Sequence, residues 1–192
     1  EEVDELGPVI ILEYIDGETL ESFMSKGLLT QQLARKFFAQ IKDVLQYIHN
    51  KQTIHRDLKP SNIMVTHNGL NIKLIDFSLS DNDTFNIFKA PGGTSGYIAP
   101  ELFLPNAKSD IRCDIYSFGV LASYMAETTH DKRMMQIARQ CINHNPEQRP
   151  ESMAEITIPT EGNSLQIAAL VFLSLSALCL LAYIIIRLTQ VF

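Results

Sequence analysis

Residues 55–62, HRDLKPSN, place a histidine, an arginine, an aspartate, a lysine and an asparagine in one short polar stretch. It comes soon after FFAQIKDVLQYIH (37–49), whose apolar residues recur at helical spacing. Taken alone, the stretch is consistent with a solvated loop, a nucleic-acid patch, a metal cluster or a loop for phosphoryl transfer. The formal net charge of −6 argues against general nucleic-acid binding, which usually needs a basic face.

Upstream of this stretch, the sequence predicts one strand and two helices. VIILEY (9–14) is apolar and rich in β-branched residues, which predicts a buried strand. A short helix follows and stops at Gly27, and Thr30 is placed to cap a second helix over 30–50. The core-facing stripe of that second helix is Leu33, Phe37, Ile41, Val44, Leu45 and Ile48.

Downstream, two short strands and two more helices are predicted. NIMVT (62–66) and NIKLIDF (71–77) form a hairpin around a turn at 67–69. DIRCDIYSFGVLASYMAE (110–127) is a strongly apolar helix, and a further helix covers 131–143.

The cysteines and most histidines predict no metal site. The three cysteines, Cys113, Cys141 and Cys179, are far apart and form no CxxC pair, so each is expected to be a small buried hydrophobe in a reducing compartment. Four of the histidines lack ligand spacing and are expected to be surface or capping residues, namely His49, His67, His130 and His144.

An uncharged segment near the C-terminus, LQIAALVFLSLSALCLLAYIII (165–186), predicts a transmembrane helix. It exceeds the roughly 20 apolar residues needed to cross a bilayer. The predicted organisation is one folded domain over 1–156, a polar linker over 157–164, the membrane span and a short tail over 187–192.

The polar residues of the opening stretch and of the hairpin suit phosphoryl transfer. A hairpin between Asn62 and Asp76 brings an amide oxygen and a carboxylate together, as a hard cation such as Mg²⁺ requires. Asp57 is left to orient a hydroxyl, and Lys59 supplies a positive charge for a transferring phosphate.

In this combination the sequence resembles the protein kinase family. HRDLKPSN is similar to the family's catalytic loop, and DFS (76–78) to its metal-binding motif. The later motifs GTSGYIAPE (93–101), DIYSFG (114–119) and HNPEQRP (144–150) follow in family order. The resemblance implies an α+β, predominantly α fold, the large lobe of a kinase, joined here to one transmembrane helix.

The resemblance also implies a role for each matching residue. Asp57 would be the catalytic base, Lys59 would contact the γ-phosphate of ATP, and Asn62 and Asp76 would bind Mg²⁺. His55 would be a packed structural histidine. Lys59 followed by Pro60 and Ser61 is similar to serine/threonine kinases rather than tyrosine kinases.

Further implied roles concern nucleotide binding and support of the loop. The backbones of Glu13 and Ile15 would bind adenine, Met64 would floor its pocket, and Leu12 would be the gatekeeper. The supporting set is Thr94 bracing the catalytic aspartate, Asp114 holding the catalytic-loop backbone, and a buried Glu101–Arg149 ion pair.

The sequence departs from the family in three places. EEVDELGPVI (1–10) supplies neither a glycine-rich loop nor a strand lysine, so the small lobe is expected to be largely missing and this chain alone a poor enzyme. Ser78 replaces a glycine that has greater backbone freedom. The stretch between DIYSFG and NPEQRP is short, where the family has a further helix.

Two functions follow from these features. The first is a membrane-anchored serine/threonine protein kinase, of which this chain is a fragment, using ATP and Mg²⁺ on a protein substrate, with its kinase domain facing the cytosol and the chain crossing the bilayer once. The second is a catalytically inactive, membrane-tethered pseudokinase or scaffold. Neither involves nucleic acid.

Overall fold

A computed structural model describes residues 2–3, 7–8, 11–78, 80–82, 96–104, 109–158 and 172–174. The chain divides into two compact units, Glu1–Ile158 and Pro159–Phe192. In the second unit, residues 172–174 are helical. No helix within the described ranges is long and apolar enough to cross a membrane, and the rest of the predicted span at 165–186 lies outside them.

Helices dominate the first unit, as the sequence predicts. The helices are α1 (Leu20–Ser25), α2 (Gln31–Asn50), α3 (Ile111–Thr129) and α4 (Lys132–Cys141). Thr30 caps α2 by accepting a hydrogen bond from the backbone N–H of Leu33 at 3.2 Å. Gly27, just after α1, has a φ of 69°, the left-handed conformation that glycine adopts without a steric penalty.

Short antiparallel strands complete the fold. The strands are β1 (Glu2–Val3), β2 (Gly7–Pro8), β3 (Gly17–Thr19), β4 (Thr53–Ile54), β5 (Ile63–Thr66), β6 (Ile72–Leu74) and β7 (Asp81–Asn82). The β5–β6 hairpin is the predicted one, with Ile63 opposite Leu74. β3 adds to its other edge, with Thr19 opposite Met64. In this sheet, β3, which follows the 11–16 segment, lies beside β5, which follows the polar stretch 55–62.

The prediction of a buried strand over 9–14 is wrong for residues 11–14, the part that the structure describes. Residues 11–14 have no regular secondary structure, and Leu12 and Tyr14 are 80% and 87% exposed. An apolar β-branched run becomes a strand only where another strand pairs with it, and no described strand pairs with 11–14. Residues 9 and 10 lie outside the described part of the chain.

The core lies between α2 and α3. The predicted α2 stripe faces it: Phe37, Ile41, Leu45 and Ile48 are buried, and Leu33 and Val44 pack against its edge. The rings of Phe38 and Phe118 stack with centroids 4.2 Å apart. Cys113 and Cys141 are buried free thiols, as expected, and burial raises the pKa of each to about 12.

Close packing of α3 on α4 depends on Gly119. A Cβ at this position would lie 2.5 Å from Cβ of Cys141 and 2.8 Å from Cγ2 of Ile142. Neither atom is the end of a flexible chain, so a larger residue must push the helices apart.

We therefore expect Gly119→Ala to lower the free energy of unfolding by about 1–3 kcal/mol, the usual cost of overpacking a core. Urea denaturation followed by circular dichroism measures this, with the exposed Glu127→Ala on the same helix as the control. An unchanged midpoint for Gly119→Ala would show that the two helices separate without cost.

Candidate active site

The polar stretch 55–62 is a buried loop held by one carboxylate. Asp114 is fully buried on α3, and its Oδ2 and Oδ1 accept hydrogen bonds from the backbone N–H groups of His55 and Arg56, both at 2.8 Å. This is the contact that the family resemblance predicts for Asp114. Because the carboxylate fixes two successive backbone amides, it determines the path of the loop.

His49 is a second support that the sequence analysis placed wrongly. Instead of lying at the surface, it is buried, and its Nε2 lies 2.8 Å from Oδ2 of Asp114. The signal was present: His49 continues the spacing of four residues from Ile41 through Leu45, which places it on the buried face of α2. His67 does fit the surface expectation, since it is exposed and pairs with Asp16.

His55 connects the loop to the end of the hairpin. Its Nδ1 accepts the backbone N–H of Asp57 at 3.3 Å, so its Nε2 carries the proton and donates to the carbonyl of Ile75, also at 3.3 Å. Burial, only partly offset by Asp114, lowers the pKa of His55. A neutral, fully buried histidine with both nitrogens engaged is a structural residue, as expected.

The side chains of Lys59 and Asn62 both contact the carboxylate of Asp57. Nζ of Lys59 and Nδ2 of Asn62 lie 2.8 Å from Oδ2 of Asp57, and Nδ2 of Asn62 also donates to its carbonyl at 2.9 Å. Asp57 is 7% exposed and Asn62 is 6% exposed. This arrangement holds a carboxylate, an ammonium group and an amide at one small patch, with the carboxylate oriented from two sides.

Asp76 reaches the site through the hairpin. The backbone N–H of Ile75 donates to the carbonyl of Asn62 at 2.9 Å, which sets the residue after it beside the loop. Asp76 adopts a left-handed φ of 63°, a conformation that costs free energy for a residue other than glycine. The positive φ falls on Asp76 and not on Ser78, so the serine at the usual glycine position is unstrained in this conformation.

Hydrogen bonds from Ser78 favour the ionised form of the Asp76 carboxyl group. The Ser78 hydroxyl, and then its backbone N–H at 3.2 Å from Oδ1, lower the pKa of Asp76, and Lys59 contributes further. Asn62 uses its amide nitrogen on Asp57, which leaves its amide oxygen for a ligand. A carboxylate and an amide oxygen are donors that suit Mg²⁺, so the residues fit the cation that the family implies. The described residues contain no cluster of three or more histidine, cysteine or acidic ligands.

We expect Ser78→Ala to move the acid limit of Mg·ATP binding to higher pH. Removing a donor to the ionised carboxylate raises the pKa of Asp76, so protonation weakens the cation site earlier as the pH falls. Calorimetric titrations on both sides of pH 3.8, the ordinary pKa of an aspartate, measure the shift, with Ser123→Ala on α3 as a remote control. Identical pH profiles for the wild type and Ser78→Ala would contradict the role given to this hydroxyl.

The residues predicted to bind adenine are only partly brought together. Glu13 and Ile15 line a cleft of about 290 Å³ with Thr66 and Lys73 of the hairpin, and the Glu13 side chain forms an ion pair with Lys73. Met64 does not line this cleft, although it lies opposite Lys73 in the sheet. The adenine-binding roles of Glu13, Ile15 and Met64 thus stay predictions, as does that of Leu12.

The predicted ion pair between Glu101 and Arg149, which anchors the segment after the catalytic site, is present. Nη1 and Nη2 of Arg149 lie 2.6 and 2.7 Å from Oε1 and Oε2 of Glu101, a bidentate pair, and the Arg149 side chain is fully buried. Arg149 also packs over the ring of Tyr116 at 4.9 Å. Thr94, expected to brace Asp57, lies outside the described residues.

Together, the helical lobe, the carboxylate-supported catalytic loop and the hairpin carrying Asp76 define the large lobe of a protein kinase. The comparison with family models agrees: the protein kinase domain model matches residues 4–131. The chain belongs to the protein kinase family.

Its curated relatives are serine/threonine kinases. The chain is 40% identical over 114 residues to serine/threonine-protein kinase kin-29 of Caenorhabditis briggsae. These aligned residues make up 58% of this chain and 14% of that protein. It is 40% identical over 115 residues to CBL-interacting serine/threonine-protein kinase 8 of Arabidopsis thaliana, covering 58% and 26%. A probable KIN1 homologue of Enterocytozoon bieneusi is 39% identical over 118 residues, covering 60% and 20%. The chain thus spans about a quarter or less of the length of these relatives.

Proposed function

We propose that this chain is part of a serine/threonine protein kinase that transfers the γ-phosphate of ATP to serine or threonine hydroxyls of a protein substrate. The observation that carries the proposal is the geometry at Asp57, whose Oδ2 is held at 2.8 Å by both Lys59 and Asn62. A loop that served only as a scaffold would gain nothing from burying these groups together, because burying polar groups costs free energy.

In the proposed reaction each residue has a distinct task. Asp57 accepts a hydrogen bond from the substrate hydroxyl, orients it and takes its proton. Lys59, whose Nζ lies 2.8 Å from this carboxylate, would offset the negative charge that develops on the transferring phosphate. Asn62 and Asp76 would hold Mg²⁺, which supplies charge neutralisation at the phosphates of ATP.

The test is phosphate transfer by the full-length protein from labelled ATP to a library of serine and threonine peptides. Asp57→Asn keeps the size of the side chain but removes the base, so transfer is expected to fall by about 10²–10⁴-fold. Asp43→Asn, on the exposed face of α2, is the matched control. Equal rates for the wild type and Asp57→Asn would refute the proposed role. A folded wild type without transfer would favour the scaffold function.

We also propose that residues 165–186 anchor this kinase in a membrane as a single-pass span, with the catalytic unit in the cytosol. The support is the absence of any charged residue across a segment long enough to cross a bilayer. ATP is cytosolic, which determines the expected orientation. Protease added to intact cells should leave the catalytic unit uncut, and extraction by alkaline carbonate should leave it in the membrane pellet. Digestion would contradict the cytosolic orientation, and release into the supernatant would contradict the anchor.

A further inference from the structure

A groove of about 450 Å³ lies between the end of α3 and one face of α4. α3 ends at Thr129 and α4 begins at Lys132, so a turn of two residues joins the two helices. All the residues that line the groove come from these helices and this turn, and none belongs to the catalytic loop or to the hairpin. The groove is therefore distinct from the site proposed for Mg·ATP.

Ala126 and Met135 form the apolar part of the groove. Ala126 of α3 is buried, and Met135 of α4 is half-buried and packs against the hydrophobic core. An unbranched methionine side chain adapts to partners of different shape, which is why methionine is common on binding surfaces. Within the described part of the chain, no aromatic side chain lines the groove. An apolar side chain of a ligand can therefore bury its surface here, whereas a nucleic-acid base would find no ring to stack on.

The charged side chains that remain available in the groove are mostly basic. Lys132 and Arg139 are exposed on α4, and none of the described residues forms an ion pair with either of them or with Glu127 on α3. Asp131 also lines the groove, but its Oδ2 accepts a hydrogen bond from Nε of Arg35 at 2.6 Å, and its Oδ1 caps the N-terminus of α4. The groove thus offers two cations against one anion, in a chain whose formal net charge is −6.

The two cations lie on the same face of α4 as Met135. Positions 132, 135 and 139 follow the helical spacing i, i+3, i+7, so the thioether stands between the two charges. Seven residues of an α-helix correspond to about 10 Å along its axis. A second helix that lies in the groove has the same spacing, so two carboxylates seven positions apart on it can meet both cations. An apolar residue between those carboxylates then contacts Met135.

We infer that this groove binds an acidic amphipathic helix of a partner protein, which contacts Ala126 and Met135 with its apolar face and pairs its carboxylates with Lys132 and Arg139. Glu127 on the opposite wall repels acidic groups, so the acidic face of the ligand lies toward α4. A flat anionic bilayer does not fill a groove between two helices, and the phosphates of a nucleic acid would meet Glu127. The groove recruits a partner, and this role does not depend on the proposed phosphate transfer.

The test measures the binding of fluorescent helical peptides to the full-length protein by fluorescence polarisation. Each stapled peptide carries a central pair of leucines flanked by two glutamates, whose separation is varied from three to eight positions. A second series carries lysine in place of each glutamate. The wild type is expected to bind the glutamate peptides most tightly at a separation of seven positions, and to prefer that peptide over its lysine counterpart by about tenfold.

Charge changes along α4 show whether the groove itself binds the peptide. Lys132→Glu is expected to weaken binding about tenfold and Arg139→Gln about threefold, whereas Glu127→Gln should strengthen it about twofold. Arg133→Glu is the matched control, because Arg133 is exposed on the same helix but does not line the groove, so its effect should stay below about twofold. Positions 132 and 133 lie in the first turn of α4, where the helix dipole favours glutamate, so neither change should unfold the helix.

Several results would overturn the inference. They are equal binding of the glutamate and lysine peptides, equal losses in Lys132→Glu and Arg133→Glu, and no binding of any glutamate peptide by the folded wild type. Phosphatidylserine vesicles and single-stranded DNA are tested beside the peptides. If either bound while the peptides did not, and Lys132→Glu abolished that binding, the groove would belong to that ligand instead. Phosphate transfer by Lys132→Glu should equal that of the wild type, which keeps this test separate from that of the kinase function.

Discussion

Asp114→Asn is expected to unfold the catalytic loop and to lower the free energy of unfolding substantially. The carboxylate is fully buried and accepts hydrogen bonds from the backbones of His55 and Arg56, and it lies 2.8 Å from Nε2 of His49. An asparagine has one acceptor oxygen, and its NH₂ group must face a donor. Losing buried bonds to a charged group costs about 1.5–3 kcal/mol each, so we expect a loss of at least about 3 kcal/mol in the free energy of unfolding.

Two measurements check this expectation. Urea denaturation gives the change in stability, and hydrogen exchange at the amides of His55 and Arg56 reports whether the loop has lost its support. Asp110→Asn is the matched control on the same helix, because asparagine and aspartate are equivalent at a helix N-terminus. If Asp114→Asn were as stable as Asp110→Asn and equally protected, the loop would be held by something other than this carboxylate.

Glu101→Gln is expected to cost about 3–5 kcal/mol, because it leaves the buried guanidinium of Arg149 without its counter-ion. Arg149 cannot turn toward solvent easily, since its Nε also donates to the carbonyl of Asn143 at 2.7 Å and its Nη1 to that of Arg112 at 3.0 Å. Phosphate transfer should fall together with stability, because the pair anchors the segment that precedes α3.

The matched control is Glu147→Gln, which breaks the ion pair between Glu147 and Arg112. The Glu147 side chain is 76% exposed in this pair. That pair should contribute less than about 1 kcal/mol. The double variant Glu101→Gln/Arg149→Met should be more stable than Glu101→Gln alone, because it removes the stranded charge. A double variant less stable than either single variant would show that packing, and not charge pairing, carries the effect.

The sequence predicted those parts of the fold whose causes are local. The stripe of α2, its Thr30 cap, the stop at Gly27 and the β5–β6 hairpin all depend on residues within a few positions of one another. The predicted contacts of Asp114 and of Glu101 with Arg149 also form, because the family resemblance supplied pairings that no local pattern could give.

What the sequence missed depends on partners distant along the chain. The apolar character of 11–14 predicted a strand, but strand formation depends on a pairing partner that the pattern itself does not identify. Arg35 bonds Asp131 at 2.6 Å across 96 residues, a contact without a sequence signature. The close approach at Gly119 likewise appears only once α4 is placed against α3.

Calorimetric titration of the full-length protein with Mg·ATP, beside Asp76→Ala and the control Asp43→Ala, tests most directly whether the loop and hairpin form a phosphoryl-transfer site. We predict binding by the wild type and by Asp43→Ala that is lost in Asp76→Ala, since Asp76 would supply the charged ligand of the cation. Absence of binding by a folded wild type, or equal binding by Asp76→Ala, would contradict the assignment of this site to Mg·ATP.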